Sequence, residues 1–133
     1  MDLGNDELYR IDPTSNQIIA TIPLRARPRA LAAGDGSVWV FNEGDGILQR
    51  IDGKSGKQLA AIETDALGKA LITVGGGFVW VATQSGGITQ IDPRTDAVRG
   101  KFKINAGNYV AFNYADSSLW ICGSEVYRIT SPK

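Results

Sequence analysis

The sequence predicts an all-β fold: a β-propeller of four-stranded antiparallel blades, about three to the chain. Two marker series with a common period, and the lack of any credible ten-residue helix, predict it. Trp39, Trp80 and Trp120 stand 41 and 40 residues apart. Ile11, Ile51, Ile91 and Ile129 stand 40, 40 and 38 apart, and Asp12, Asp52 and Asp92 follow the first three of them. Two independent series sharing a period of about 40 residues define a tandem repeat. A four-stranded unit of ~40 residues, repeated, is the signature of a propeller blade.

Each element follows from apolar, β-branched runs punctuated by Gly, Asp, Asn, Ser and Pro. The chain enters in mid-blade, with a third strand at 7–12 (ELYRID) and a fourth at 17–24 (QIIATIPL). A complete blade follows at 29–64. The next, at 70–104, is the clearest: KALITVG, FVWVAT, GITQID and AVRGKFKI are four strands with a turn after each of the first three. The last segment, 109–130, holds first, second and third strands. The whole of 1–133 therefore reads as one propeller segment of about thirteen strands, too few to close a ring, which takes four to eight blades. Each tryptophan strand is apolar at consecutive positions, as in SVWVFN, so both of its faces should be buried between neighbouring sheets.

The turns have their own chemistry. In DPTSN, DGKSG and DPRTD the aspartate can accept a hydrogen bond from the backbone two residues on, and Pro13 and Pro93 preset φ. Asn16 and Gly56 suit a left-handed residue, and Asp96 is a weaker choice there. Repeated carboxylates could be read as calcium ligands, but no turn carries the dense oxygen cluster that such a site needs. GDG (44–46) and GGG (75–77) lack the strand-to-helix setting of a phosphate loop and read as turns.

Composition narrows function by exclusion. Among 133 residues, fourteen Lys and Arg balance fourteen Asp and Glu, which argues against a nucleic-acid partner. No apolar run approaches the ~18 residues of a membrane span, and no signal-peptide pattern opens the chain. The single cysteine excludes an internal disulfide, and as Cys122 in a central strand it should be a buried, inert thiol. The absence of histidine removes Ser-His-Asp and Cys-His catalysis and histidine-based metal sites from this chain. No catalytic residue, metal ligand or cofactor is assigned.

Loop lengths locate the variable surface. From each tryptophan to the next isoleucine the spacing runs 12, 11 and 9, so the second-to-third-strand loops vary: NEGDG (42–46), TQSGG (83–87) and CGSE (122–125). In a propeller these share a face with the connections between blades, RARPR (25–29), DALGK (65–69) and NAGNY (105–109). Function usually sits on such loops. The candidate ligand residues are therefore Arg25, Arg27, Arg29, Asn42, Glu43, Asp45, Lys69, Gln84, Asn108 and Tyr109, with Glu125 beside them. Arg25, Arg27 and Arg29 alternate, so in an extended stretch three guanidiniums point one way and suit a carboxylate or phosphate. The alternative is a solvated connector whose arginines pair with Glu43 and Asp45. The three tryptophans, between aliphatics in mid-strand, read as core.

The recurring Val-Trp-Val, Arg-Ile-Asp-Pro and QIIATIPL pattern resembles the YVTN-type and streptogramin-lyase-like (virginiamycin B lyase) β-propellers. The match is clearest in LYRIDPTSNQIIATIPL and RPRALAAGDGSVWV, within 7–40, and drifts toward the C-terminus. The resemblance implies a ring of six or seven blades, of which this chain is about half, and a periplasmic or secreted setting. The lyases use histidines and glutamates with a divalent metal, and without histidine none of those roles carries over. The expected function is a non-catalytic scaffold or binding module. The alternatives are a fragment of a propeller lyase or hydrolase with its catalytic residues elsewhere, and an enzyme using Glu43, Asp45 or Glu125 as acid or base. Expected partners are a second copy that closes the ring, or the remaining blades of a larger propeller, and a small anion at the loop face. In the ring-closing dimer, 17–24 of one chain completes the last blade of the other. ELYRID and VYRIT are then redundant third strands.

Overall fold

The computed structural model describes residues 1–2, 4–104 and 108–130, so residues 105–107 of the last inter-blade connection lie outside the described residues. Thirteen strands form four antiparallel sheets, with no helix among the described residues. The first sheet pairs β1 (Glu7–Asp12) with β2 (Gln17–Pro23). The second holds β3 (Pro28–Gly34), β4 (Ser37–Asn42), β5 (Ile47–Asp52) and β6 (Gln58–Glu63) in sequence order. The third repeats this with β7 (Ala70–Gly75), β8 (Phe78–Thr83), β9 (Gly87–Asp92) and β10 (Ala97–Lys103). The fourth holds β11 (Ala111–Ala115), β12 (Ser118–Cys122) and β13 (Val126–Thr130).

The sheets stack face to face. β7 packs against β3 on one side and β11 on the other, so the first strands stand side by side along the inner edge. Trp39, Phe41 and Leu48 of the second sheet meet Ile72, Val79, Val81 and Ile91 of the third. The third sheet's opposite face, with Trp80 and Ile88, meets Leu119 and Ile121 of the fourth. At the N-terminal end Leu8 packs on Val40 and Ile51. Trp39, Val40 and Phe41 are all fully buried, which is why the tryptophan strands are apolar on both faces.

Turn chemistry sets the register. The hairpins before the tryptophan strands have two consecutive left-handed residues, Asp35–Gly36, Gly76–Gly77 and Asp116–Ser117. That geometry twists in the same sense as paired strands. Asn16, Gly56 and Asp96 are likewise left-handed, at φ of 56°, 71° and 54°. Asp12, Asp52 and Asp92 each accept the backbone N–H two residues on, at 2.8, 2.9 and 2.9 Å. The aspartates are turn caps.

A periodic arginine ties neighbouring sheets together. Arg50 lies 5.1 Å over the Trp39 ring and donates from Nε to Ser37 Oγ. Its Nη1 reaches the next sheet, at Pro93 O (2.7 Å) and Asp96 Oδ1 (3.0 Å). Arg10 makes the equivalent reach to Lys54 O at 2.8 Å. Arg128 lies 5.4 Å over Trp120 and donates to Ser118 Oγ, the same arrangement on the last sheet.

That last sheet corrects two expectations. Trp120 and Cys122 are half-buried, where their counterparts Trp80 and Ala82 are buried. Trp120 matches Trp80 and Cys122 matches Ala82 in position, but among the described residues no further sheet covers the outward face of β11–β13.

Candidate functional site

The polar loops gather at one end of the stack because each inter-sheet connection bonds to the loop beside it. Glu43 N donates to Arg27 O, Thr64 N to Gly46 O, Gln84 N to Lys69 O and Ile104 N to Gly86 O. This face holds the candidate residues, but the structure divides them into three groups.

The three arginines do not converge. Arg27 is left-handed, at φ 59°, so 25–29 is not an extended run and the alternation of side chains fails. Arg25 Nε instead donates to Asp45 Oδ2 at 2.6 Å, and Arg27 Nη2 stands 3.6 Å from Glu43 Oε1. These pairs brace the connector against the β4–β5 loop. Asn42 belongs to the scaffold too. It is fully buried and donates from Nδ2 to Ile47 O and to Gln49 Oε1, and the latter also accepts Arg25 N.

The third group is gathered around one cavity. Arg29, Lys69, Gln84 and Tyr109 line a cavity of about 320 Å³ between the second, third and fourth sheets. Ala30, Ala70, Leu71, Ala82 and Val110 make up the rest of its wall. Arg29, Lys69 and Gln84 are exposed at the rim, whereas Tyr109 is only 4% exposed. Arg29 and Lys69 enter no ion pair among the described residues. Two cations on an apolar wall, with an amide within the same cavity, can hold a small anion with a hydrocarbon body. Asn108 adjoins Tyr109 in left-handed conformation, at φ 40°, and points no lining atom into the cavity.

No acid–base pair emerges from the carboxylates. Glu43 and Asp45 are in the ion pairs above, and Glu125 accepts the Tyr127 hydroxyl at 3.0 Å, which pushes the Tyr127 pKa up. Among the described residues no group of three His, Cys, Asp or Glu could hold a metal.

Solved structures with this architecture are propellers. The WD40 domain of Neurospora crassa Pan2 superposes with a TM-score of 0.74 over 90% of this chain, at 16% identity. BamB from Moraxella catarrhalis gives 0.68 over 87% at 13% identity, and Citrobacter koseri AztD 0.68 over 78% at 20%. The fold is a β-propeller. Its sheets are blades, and the chain spans 37%, 34% and 31% of those three proteins' solved chains. No protein-family model matches the sequence, and no curated protein matches it.

Sequence reasoning missed the arginine latch. Its signal was present in Arg10, Arg50 and Arg128, each one residue before a marker isoleucine. Gln90 stands at that position in the third blade, which hides the series.

Proposed function

We propose that this chain is a propeller scaffold and binding module, about half of a closed ring, whose loop-end cavity takes a small organic anion. The observation that carries the reading is that Arg29 and Lys69, neither in an ion pair among the described residues, share a cavity with the apolar wall of Ala70, Leu71 and Ala82. The neighbouring arginines are already paired to Glu43 and Asp45, so the cationic charge of the loop face is concentrated here. A carboxylate with a short hydrocarbon body matches both the charge and the wall. The narrower YVTN-type or virginiamycin B lyase-like membership rests on the sequence pattern at 7–40.

Calorimetric titration with a panel of mono- and dicarboxylates and inorganic phosphate tests the reading. We expect a carboxylate to bind, with Arg29→Ala and Lys69→Ala each weakening it about 10- to 100-fold, the worth of a charge-assisted hydrogen bond in a pocket. Arg25→Ala should leave binding unchanged, since Arg25 is held by Asp45. Binding that is indifferent to Arg29 and Lys69, or no binding across the panel, overturns the assignment.

A further inference from the structure

We propose that β13 is a stand-in strand, displaced when the β1–β2 hairpin of a second copy enters its slot and completes a blade between two chains. The observation that carries this is a repeated tripeptide. Tyr-Arg-Ile occurs at 9–11 in β1 and again at 127–129 in β13. Both strands hold the third position of a blade. Tyr127 and Ile129 pack toward Trp80 and Leu119, while Arg128 covers Trp120 and bonds Ser118. A second copy's β1 offers the same three side chains in the same order. The slot beside β12 therefore accepts either strand, and exchange of equivalent elements is a low-cost route to a dimer.

The exchange does more than replace like with like. β1 brings β2 paired along its other edge, so a three-stranded sheet becomes a four-stranded blade. Among the described residues the first sheet holds a third and a fourth strand only. A cavity of about 280 Å³ marks the gap, lined by Leu31, Ala33 and Val38 of the second blade together with Leu8 and Arg10 of β1. β11 and β12 of the second copy are a first and a second strand, and they fit that gap.

The inner contacts set the spacing between the chains. Within the chain, the glycine that ends one first strand lies against a larger side chain of the next: Gly34 against Val74, and Gly75 against Tyr114. The equivalent residue on β11 is Ala115, and exchange sets it against Ala33 of the second copy. A Cβ at Gly34 would stand 3.0 Å from the Val74 Cβ, and one at Gly75 2.6 Å from the Tyr114 Cβ, so the two alanines require a wider approach there than the blades of one chain make. The exposed surfaces favour the exchange. Ile11 is 57% exposed, while its counterparts Ile51 and Ile91 are buried by the preceding sheet. After exchange Ile11 replaces Ile129 against the third blade of the second copy, and the half-buried Trp120 is covered by β3 and β4. Each chain then supplies three blades, and two chains close a ring of permitted size.

Cross-strand register makes the test specific. β12 pairs Cys122 with Val126, and the equivalent pair in the second blade is Phe41 with Leu48. Exchange therefore sets Cys122 of one chain opposite Leu8 of the other. We expect the 133-residue chain to show twice its 14.2 kDa mass by light scattering. Leu8→Cys should give a disulfide-linked dimer under mild oxidation, lost when Cys122→Ala is added. Tyr127→Pro disables β13 as a strand and leaves β1 intact. That variant should dimerise at least as tightly as the wild type. A folded 14.2 kDa monomer, a Leu8→Cys protein without an interchain disulfide, or a Tyr127→Pro protein that no longer dimerises overturns the proposal.

Discussion

Asp92 closes its turn with both carboxylate oxygens. Oδ1 accepts Arg94 N and Nε, and Oδ2 accepts Arg94 Nη2 at 2.9 Å. The Arg94 side chain is the largest cause of an Asp92 pKa lowered to about 2, from the usual 3.8, and its backbone N–H is the next. Asp12 and Asp52 are lowered as well, chiefly by the turn N–H groups of Thr14 and Ser55. Because these carboxylates are more acidic folded than unfolded, the unfolded chain binds more protons at low pH. Their stabilisation is complete above about pH 4 and is lost as the pH falls toward 2. Urea unfolding followed from pH 6 to pH 2 should show the midpoint falling below pH 4, and less steeply in Asp92→Asn. Identical slopes would mean that Arg94 does not hold the carboxylate.

Strands and hairpins were legible because two constraints coincide at each one. A run such as FVWVAT needs both faces covered, and Gly76–Gly77 before it supplies the two left-handed residues of a tight hairpin. The candidate site was legible only in outline. Alternation makes one cluster of Arg25, Arg27 and Arg29 only on extended backbone, and a left-handed φ at an arginine has no sequence signature. Which acid takes which arginine is set by how the β4–β5 loop folds back, a tertiary fact. The close approach of blades is likewise tertiary, and it is sharpest at the end of β7. A Cβ on Gly75 would fall on the ring of Tyr114, which stacks on Trp80 at 6.4 Å and 12°. Gly75→Ala should therefore destabilise by about 1–3 kcal/mol through overpacking. Tyr114→Ala, which removes the ring that the new Cβ would strike, should cost less in the Gly75→Ala background than in the wild type. A double-mutant cycle in urea measures the coupling, and strict additivity would show that the two residues do not touch in solution.

At the scale of the whole molecule the stack is quasi-one-dimensional, since each blade touches only its neighbours and stability should be graded along it. It is also graded across each blade. β4 and β8 are hydrogen-bonded on both edges and buried on both faces, while the fourth strands β2, β6 and β10 have one paired edge and mostly exposed residues. Amides in β4 and β8 should therefore open only with global unfolding. Those in the fourth strands of the second and third blades should exchange faster by a factor on the order of a thousand. The two ends break this symmetry. In an isolated chain β13 is paired to β12 and should be protected along with it, while β1 has β2 on one edge and on the other only the single bridge from Asp2 to Glu7. In an exchanged dimer the order inverts: β1 lies between β12 of the second copy and its own β2, and β13 is released. Hydrogen exchange with peptide resolution, run above and below the concentration at which the mass doubles, reads both strands at once. Protection should move from 126–130 to 7–12 as the dimer forms, and protection that stays with β13 at every concentration would leave the ends of the stack unexchanged.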